Sequence, residues 1–444
     1  MRPFTPRRPQ AERSRGPLWL WPAIGSLVAL GCGLLTVRVS LFPSHPLAWL
    51  RWPGDTNAAK SLLEALASSV ITVTGLAFSL TVVTLQLASQ QFSPRLLREF
   101  TRDRVIKAVL CVLVSTFVYT ITVLRYLEAG RPVPDLALFI ASLLGLAELA
   151  AVLALITHVA RLLRVDTMMR MVHDETAHAI RTLRPAYDDP PSRPADGTRS
   201  GGRSVPAGSS GFVRIIDVGP LLRAARTTDA LIGVGVHPGD HVVRGTPVAS
   251  VWSRADRPLD LPAIEAAVQE SIRLGYERAA EQDIAYGFRQ LTDIAVKALS
   301  PGINDPVTAA HSIGHTADLL VRLTGRWLGG AVYEDGAGRV ELPDRGLAYY
   351  LELACGQVRR YGRREPTVLI ALLRMLRDVA VAARDDEQRA QIARQTDLVV
   401  AEVPSSLGSH DTEQVGDMAE RVRQALHGEV RRAYRDPDGG TRSL

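Results

Sequence analysis

The sequence predicts a mainly α protein, a four-helix transmembrane region followed by a cytoplasmic α+β domain built from a small β unit and a helical bundle. Three observations carry this. Four long apolar segments fill residues 1–165, a stretch rich in Pro, Gly, Ser and Arg occupies 188–210, and beyond it short β-like runs give way to amphipathic helical periodicity. A hydrophobic content of 46% and a mean hydropathy of +0.06 suit such a hybrid. The 52 basic and 46 acidic residues leave a net charge of only +6, too dilute an excess to indicate nucleic acid. The only lysines are Lys60, Lys107 and Lys297, an Arg-for-Lys skew that reads as compositional bias. Cys32, Cys111 and Cys355 show no paired spacing, which argues against a disulfide framework or a zinc site.

The four expected spans are Leu18–Val39, Leu62–Leu87, Val105–Leu124 and Leu136–Val159. Each is long enough for a hydrocarbon core of about 30 Å, which takes roughly 20 helical residues. The first is too long for a signal-peptide core and reads as a retained helix. Arg2, Arg7, Arg8, Arg13 and Arg15 precede it, and Arg95, Arg98, Arg102 and Arg104 lie between spans two and three, so the positive-inside rule puts both termini in the cytoplasm. The partners expected are the lipid bilayer and further copies of the chain, with no nucleic acid.

Polar residues inside the spans are the candidate functional groups. Ser68, Thr72, Gly75, Ser79 and Gln86 share one sector of the second span at about 100° per residue, a stripe expected to avoid lipid. It serves either as a packing seam or as the wall of a pathway. Glu148 interrupts the fourth span, where an ionised carboxylate costs at least about 2.5 kcal/mol. It is either protonated glue bonded to a hydroxyl such as Thr116 or Thr120, or a group that moves ions or protons.

In the second half, 166–187 reads as a helical extension of the fourth span, its His173 and His178 on a solvated face. Residues 188–210 read as a flexible linker, 211–258 as a small β-rich unit, 259–434 as a helical domain and 435–444 as a disordered tail. The turn phrase HPGDHVVRGTPVASV resembles that of biotinyl and lipoyl barrel-sandwich hybrids, but no nearby Lys could carry their cofactor, and no cofactor is expected. At PGINDPVTAAHSIGH, Pro301 and Gly302 end one helix while Asp305 caps the next with Pro306 at its first position, so Gly302, Asn304, Asp305 and Pro306 form a structural corner. His311 and His315, at i and i+4, have the spacing of a shared metal on a helix, yet HSIGH lacks the acid of a zincin motif, so they are weak metal candidates beside ordinary polar positions.

The phrases TLQLASQQFSPRLLREFTRD, SGFVRIID with VHPGDHVVRGTPVA, and EQDIAYGFRQLTDIAVKALSPGINDPVTA resemble the bacterial membrane proteins catalogued as domain of unknown function 2254. The resemblance implies an inner-membrane protein and brings no activity, substrate or catalytic residue. No Walker loop, dinucleotide fingerprint, GxSxG or kinase signature appears, so no enzyme is expected. Two readings stay open: an ion channel or transporter gated by its cytoplasmic domain, and a non-enzymatic membrane-anchored sensor or assembly scaffold.

Overall fold

A computed structural model of the chain describes residues 19–38, 52–91, 104–127, 133–162, 164–192, 201–253 and 258–435. Of the arginines behind the topology argument all but Arg104 lie outside the described residues, as do the middle of the expected linker and nearly all of the expected tail. The chain divides into two compact units, with the break between Thr167 and Met168.

The N-terminal unit holds α1 (Leu20–Thr36), α2 (Thr56–Gln91), α3 (Arg104–Tyr126) and α4 (Asp135–Leu162). Three helices are long and apolar enough to cross a membrane, within Thr56–Val83, Val105–Tyr126 and Asp135–Arg161. Helix α1 is apolar but has 17 residues, and at about 1.5 Å per residue it falls short of a hydrocarbon core of about 30 Å. Helix α3 is central and touches the other three. Glycines of α1 permit its close approach: a Cβ at Gly25 would lie 2.5 Å from both Cys111 Sγ and Ser115 Oγ, and one at Gly33 would press on Thr122. Leu63, Leu113, Tyr119 and Leu138 are fully buried between the helices, while Leu27, Leu35, Phe78, Leu146 and Leu153 point outward, as lipid-facing side chains do.

The break falls in the first turn of α5 (Val165–Leu183), whose Met169, Val172, Thr176 and Ile180 are buried in the C-terminal unit. Strands β1 (Arg203–Pro206), β2 (Gly211–Ile216), β3 (Ala230–Val234), β4 (His241–Val242) and β5 (Pro247–Ser253) follow, with α6 (Val218–Thr228) between β2 and β3. After α7 (Leu261–Ser271) come β6 (Ile272–Gly275), α8 (Ile284–Ala298), α9 (Pro306–Thr324), and the hairpin of β7 (Ala331–Asp335) and β8 (Gly338–Leu342). Helices α10 (Leu347–Tyr361), α11 (Pro366–Ala382), α12 (Asp386–Ala401), α13 (Ser409–Leu426) and α14 (Val430–Ala433) complete the bundle.

One sheet has the order β1-β5-β3-β8-β7, antiparallel except for the parallel β3–β8 pair, and the other the order β4-β2-β6. Both differ from the expected self-contained β unit at 211–258. Strand β1 lies inside the expected linker, where Val205 is buried and the segment pairs with β5; Ser192 also accepts a backbone hydrogen bond from Val332. Strand β6 interrupts what reads as one helix over 263–283, because Ile272–Gly275 pairs with β2 and buries Ile272. The β7–β8 hairpin comes from the expected helical domain and completes the larger sheet through β3. Leu221, Ile232, Val251, Ile264 and Val340 form the core beside the sheets. In the bundle, Phe288, Leu320, Leu372 and Val422 are fully buried, each such side chain contributing about 1.5–3 kcal/mol.

Candidate functional site

The polar stripe of α2 does not pack within its own unit. Ser68, Thr72, Gly75, Ser79 and Gln86 are all exposed, and nothing lies within 4 Å of a Cβ built at Gly75. The seam of α2 is instead Ala59, Leu63, Ala67, Val70 and Ala77, because an apolar face buries more favourably against α3 and α4. Glu148 is 3% exposed and its Oε1 accepts from Ser69 Oγ at 3.5 Å, next to the stripe. Its expected partners are committed elsewhere: Thr116 donates to Val112 O at 2.8 Å, and Thr120 to Thr116 O at 2.8 Å. Helical threonines readily satisfy themselves on the preceding turn. Two further polar ties were not legible from sequence. Tyr119 Oη lies 2.9 Å from Thr36 Oγ1 and donates to Ala137 O at 3.2 Å, joining α1, α3 and α4, and Asp135 accepts from Trp52 N at 2.9 Å.

At the corner between α8 and α9, Asn304 takes a left-handed φ of 50°, which Asn tolerates better than most residues. Gly302 is exposed, and Asp305 caps α9, accepting from Thr308 N at 2.9 Å and Thr308 Oγ1 at 2.6 Å, with Pro306 at the helix start. Those bonds hold its carboxyl below the usual range. His311 is exposed. His315 stacks at 5.4 Å from His173, whose Nε2 lies 2.6 Å from Asp318 Oδ2. His173 therefore sits against α9 rather than on the expected solvated face. Among the described residues no group of three or more His, Cys, Asp or Glu could hold a metal ion.

A charged cluster that the sequence reading missed lies where the sheets meet α8 and α10. The phrases HPGD and EQD converge there. Arg345 Nη2 donates to Asp240 Oδ1 at 2.6 Å, and its Nη1 reaches Asp283 Oδ1 at 3.5 Å. Arg278 donates to Asp283 Oδ2 through Nε at 2.9 Å and Nη2 at 2.5 Å. Gly239, at φ 88°, lies under this ion pair, since a Cβ there would fall 2.0 Å from Asp283 Oδ2. Glu281 accepts from Arg214 at 3.0 Å and Gln282 Oε1 from Ile216 N at 2.9 Å, so the first two residues of EQD hold β2. Arg345 also lies 4.6 Å above the ring of Tyr349.

Burial pushes the Asp240 carboxyl up, but the hydrogen bonds from His237 and the charge of Arg345 outweigh it and bring it down to about 2. Asp283 sits deeper, and there burial outweighs Arg278 and Arg345, leaving the group above its ordinary value. Next to the cluster Arg184 donates to Asp344 Oδ1 at 2.5 Å, and burial likewise raises Asp344. The three arginines Arg184, Arg278 and Arg345 thus face the three aspartates Asp240, Asp283 and Asp344. No lone nucleophile or open acid–base pair stands among them.

Residues 15–378 match the family model described as Predicted membrane protein (DUF2254). The chain belongs to this family. Its relatives include the uncharacterized protein Rv1290c of Mycobacterium tuberculosis and the uncharacterized protein Mb1321c of Mycobacterium bovis, each 34% identical over 407 residues, which cover 87% of this chain and 76% of the relative. No solved structure matches the chain. The DUF2254 match spans all four helices of the N-terminal unit and both sheets, and the apolar helices are those of a membrane protein.

Proposed function

We propose that this DUF2254 protein is a four-span protein of the bacterial inner membrane, with both termini cytoplasmic, that moves ions or small solutes as a homo-oligomer under the control of its C-terminal unit. One observation carries the reading. Helix α2 turns Ser68, Thr72, Gly75, Ser79 and Gln86 away from its own helices, and a hydroxyl-bearing face in a membrane is better matched by another polar face or by water than by lipid. Several copies meeting along α2 would enclose that face, with Glu148 one contact behind it through Ser69. In this reading the chain acts without catalysis.

A second reading, a membrane-anchored sensor or assembly scaffold, draws on the same outward face as an interface between copies that stays closed. Ion flux separates them. The full chain reconstituted in liposomes should release trapped K⁺ or protons above the rate of empty vesicles, and Ser79→Leu should reduce that release. Flux no greater than from empty vesicles, across several ions, contradicts the first reading and favours the second.

A further inference from the structure

A cavity of about 120 Å³ opens at the end of α5, within the C-terminal unit, bordered by Arg184, His237, Tyr333, Asp344, Arg345 and Tyr350. We propose that it is a binding site for a small oxyanion, a carboxylate or phosphate group. It has several times the space that one water needs and is well below the size of common drug or cofactor pockets.

The argument rests on donors without acceptors. Tyr350 is 1% exposed, yet its hydroxyl makes no hydrogen bond to any described residue, and the same holds for Tyr333 across the cavity. Arg184 Nε is buried with no partner, although the same guanidinium is anchored on Asp344. A buried guanidinium N–H nearly always finds an acceptor, and it can only donate. Arg184 Nε, just past α5, and the phenol hydroxyls of β7 and α10 border one space, which a ligand with lone pairs on more than one oxygen would serve.

The ring of donors also explains what binding would do. Arg184 stands at the end of α5, the helix that follows α4 in the chain, whereas Tyr350 belongs to the bundle. An oxyanion bridging them ties α5 to α10 more firmly than the Arg184–Asp344 pair alone. This proposal does not depend on the transport reading, since a scaffold could bind the same ligand.

The test uses the full purified chain in detergent, with inorganic phosphate and acetate as separate probes and chloride at matched ionic strength as control. Calorimetric titration should show saturable binding of phosphate or acetate, a rise in melting temperature with the same probe, and neither with chloride. Which probe binds identifies the ligand class. Tyr350→Phe removes one oxygen and should weaken binding about tenfold, with its probe-free melting temperature unchanged or raised. Tyr333→Phe provides the same test should the first variant fail to fold. Absence of saturable binding of either probe to the wild type, or wild-type affinity in both Phe variants, overturns the proposal and leaves the cavity a water-filled space.

Discussion

Two buried carboxyl groups in this molecule are treated in opposite ways. Asp283, 1% exposed at its side chain, is held by two guanidinium groups, with Arg278 at 2.5 Å and Arg345 at 3.5 Å. Glu148, 3% exposed in the middle of α4, meets one hydroxyl at 3.5 Å, a contact at the long limit of a hydrogen bond. The contrast shows which acid the fold depends on. A carboxylate with two charged partners is locked into one geometry and holds segments together, whereas one with a single weak donor is held loosely.

The comparison breaks most visibly if its strong side is cut. Asp283→Ala leaves Arg278 and Arg345 facing each other in a buried site and should cost about 3–5 kcal/mol in chemical denaturation of the full chain, the penalty of stranding a buried charge. A loss below 1 kcal/mol would mean that the cluster is wet and that its charges are already met by solvent. Smaller in effect, Asp305→Ala removes the cap of α9 and should cost about 0.5–2 kcal/mol, while chelators should leave the melting temperature unchanged.

Acid titration sharpens the same contrast. The folded Asp240 carboxyl lies at about 2, below its ordinary 3.8, so its contribution is complete above 3.8 and is lost as pH falls through about 2. The stability gap between wild type and Asp240→Asn should therefore hold from neutral pH down to about 4 and narrow toward 2. A gap that closed already at pH 6 would assign it to another group. On the weak side, Glu148→Gln keeps an acceptor for Ser69 and should change stability by less than about 1 kcal/mol, judged by melting in detergent. A larger loss would make Glu148 a structural group after all.

Local chemistry was legible in the sequence where it acts within a few residues. Asp305 and Pro306 announced the start of α9, and the hydropathy of α2, α3 and α4 announced membrane helices. What depends on distant partners was not. The charges of Asp240 and Asp283 gain meaning only when Arg345 is folded against them, and β6 looks helical until β2 offers it a ladder. Strand β1 hides in a polar stretch because a single buried residue, Val205, and the pairing with β5 are enough to order it. The α2 stripe was visible as a pattern, but its direction was not, since hydroxyl spacing says that one face differs and the packing of Leu63 and Val70 decides which face turns inward.

The most direct measurement of the central claim is thiol labelling along α2 of the full chain in native membranes, with single cysteines placed at Ser68, Thr72 and Ser79 and, as lipid-facing controls, at Leu76 and Leu153, after Cys32, Cys111 and Cys355 have been replaced by Ala. All of these positions are exposed on the isolated N-terminal unit, so accessibility in the membrane separates water from lipid. The account predicts that the stripe cysteines react with a charged, water-soluble thiol reagent and cross-link between copies, while the controls do neither. Stripe cysteines that stay as unreactive as the controls and do not cross-link would contradict it.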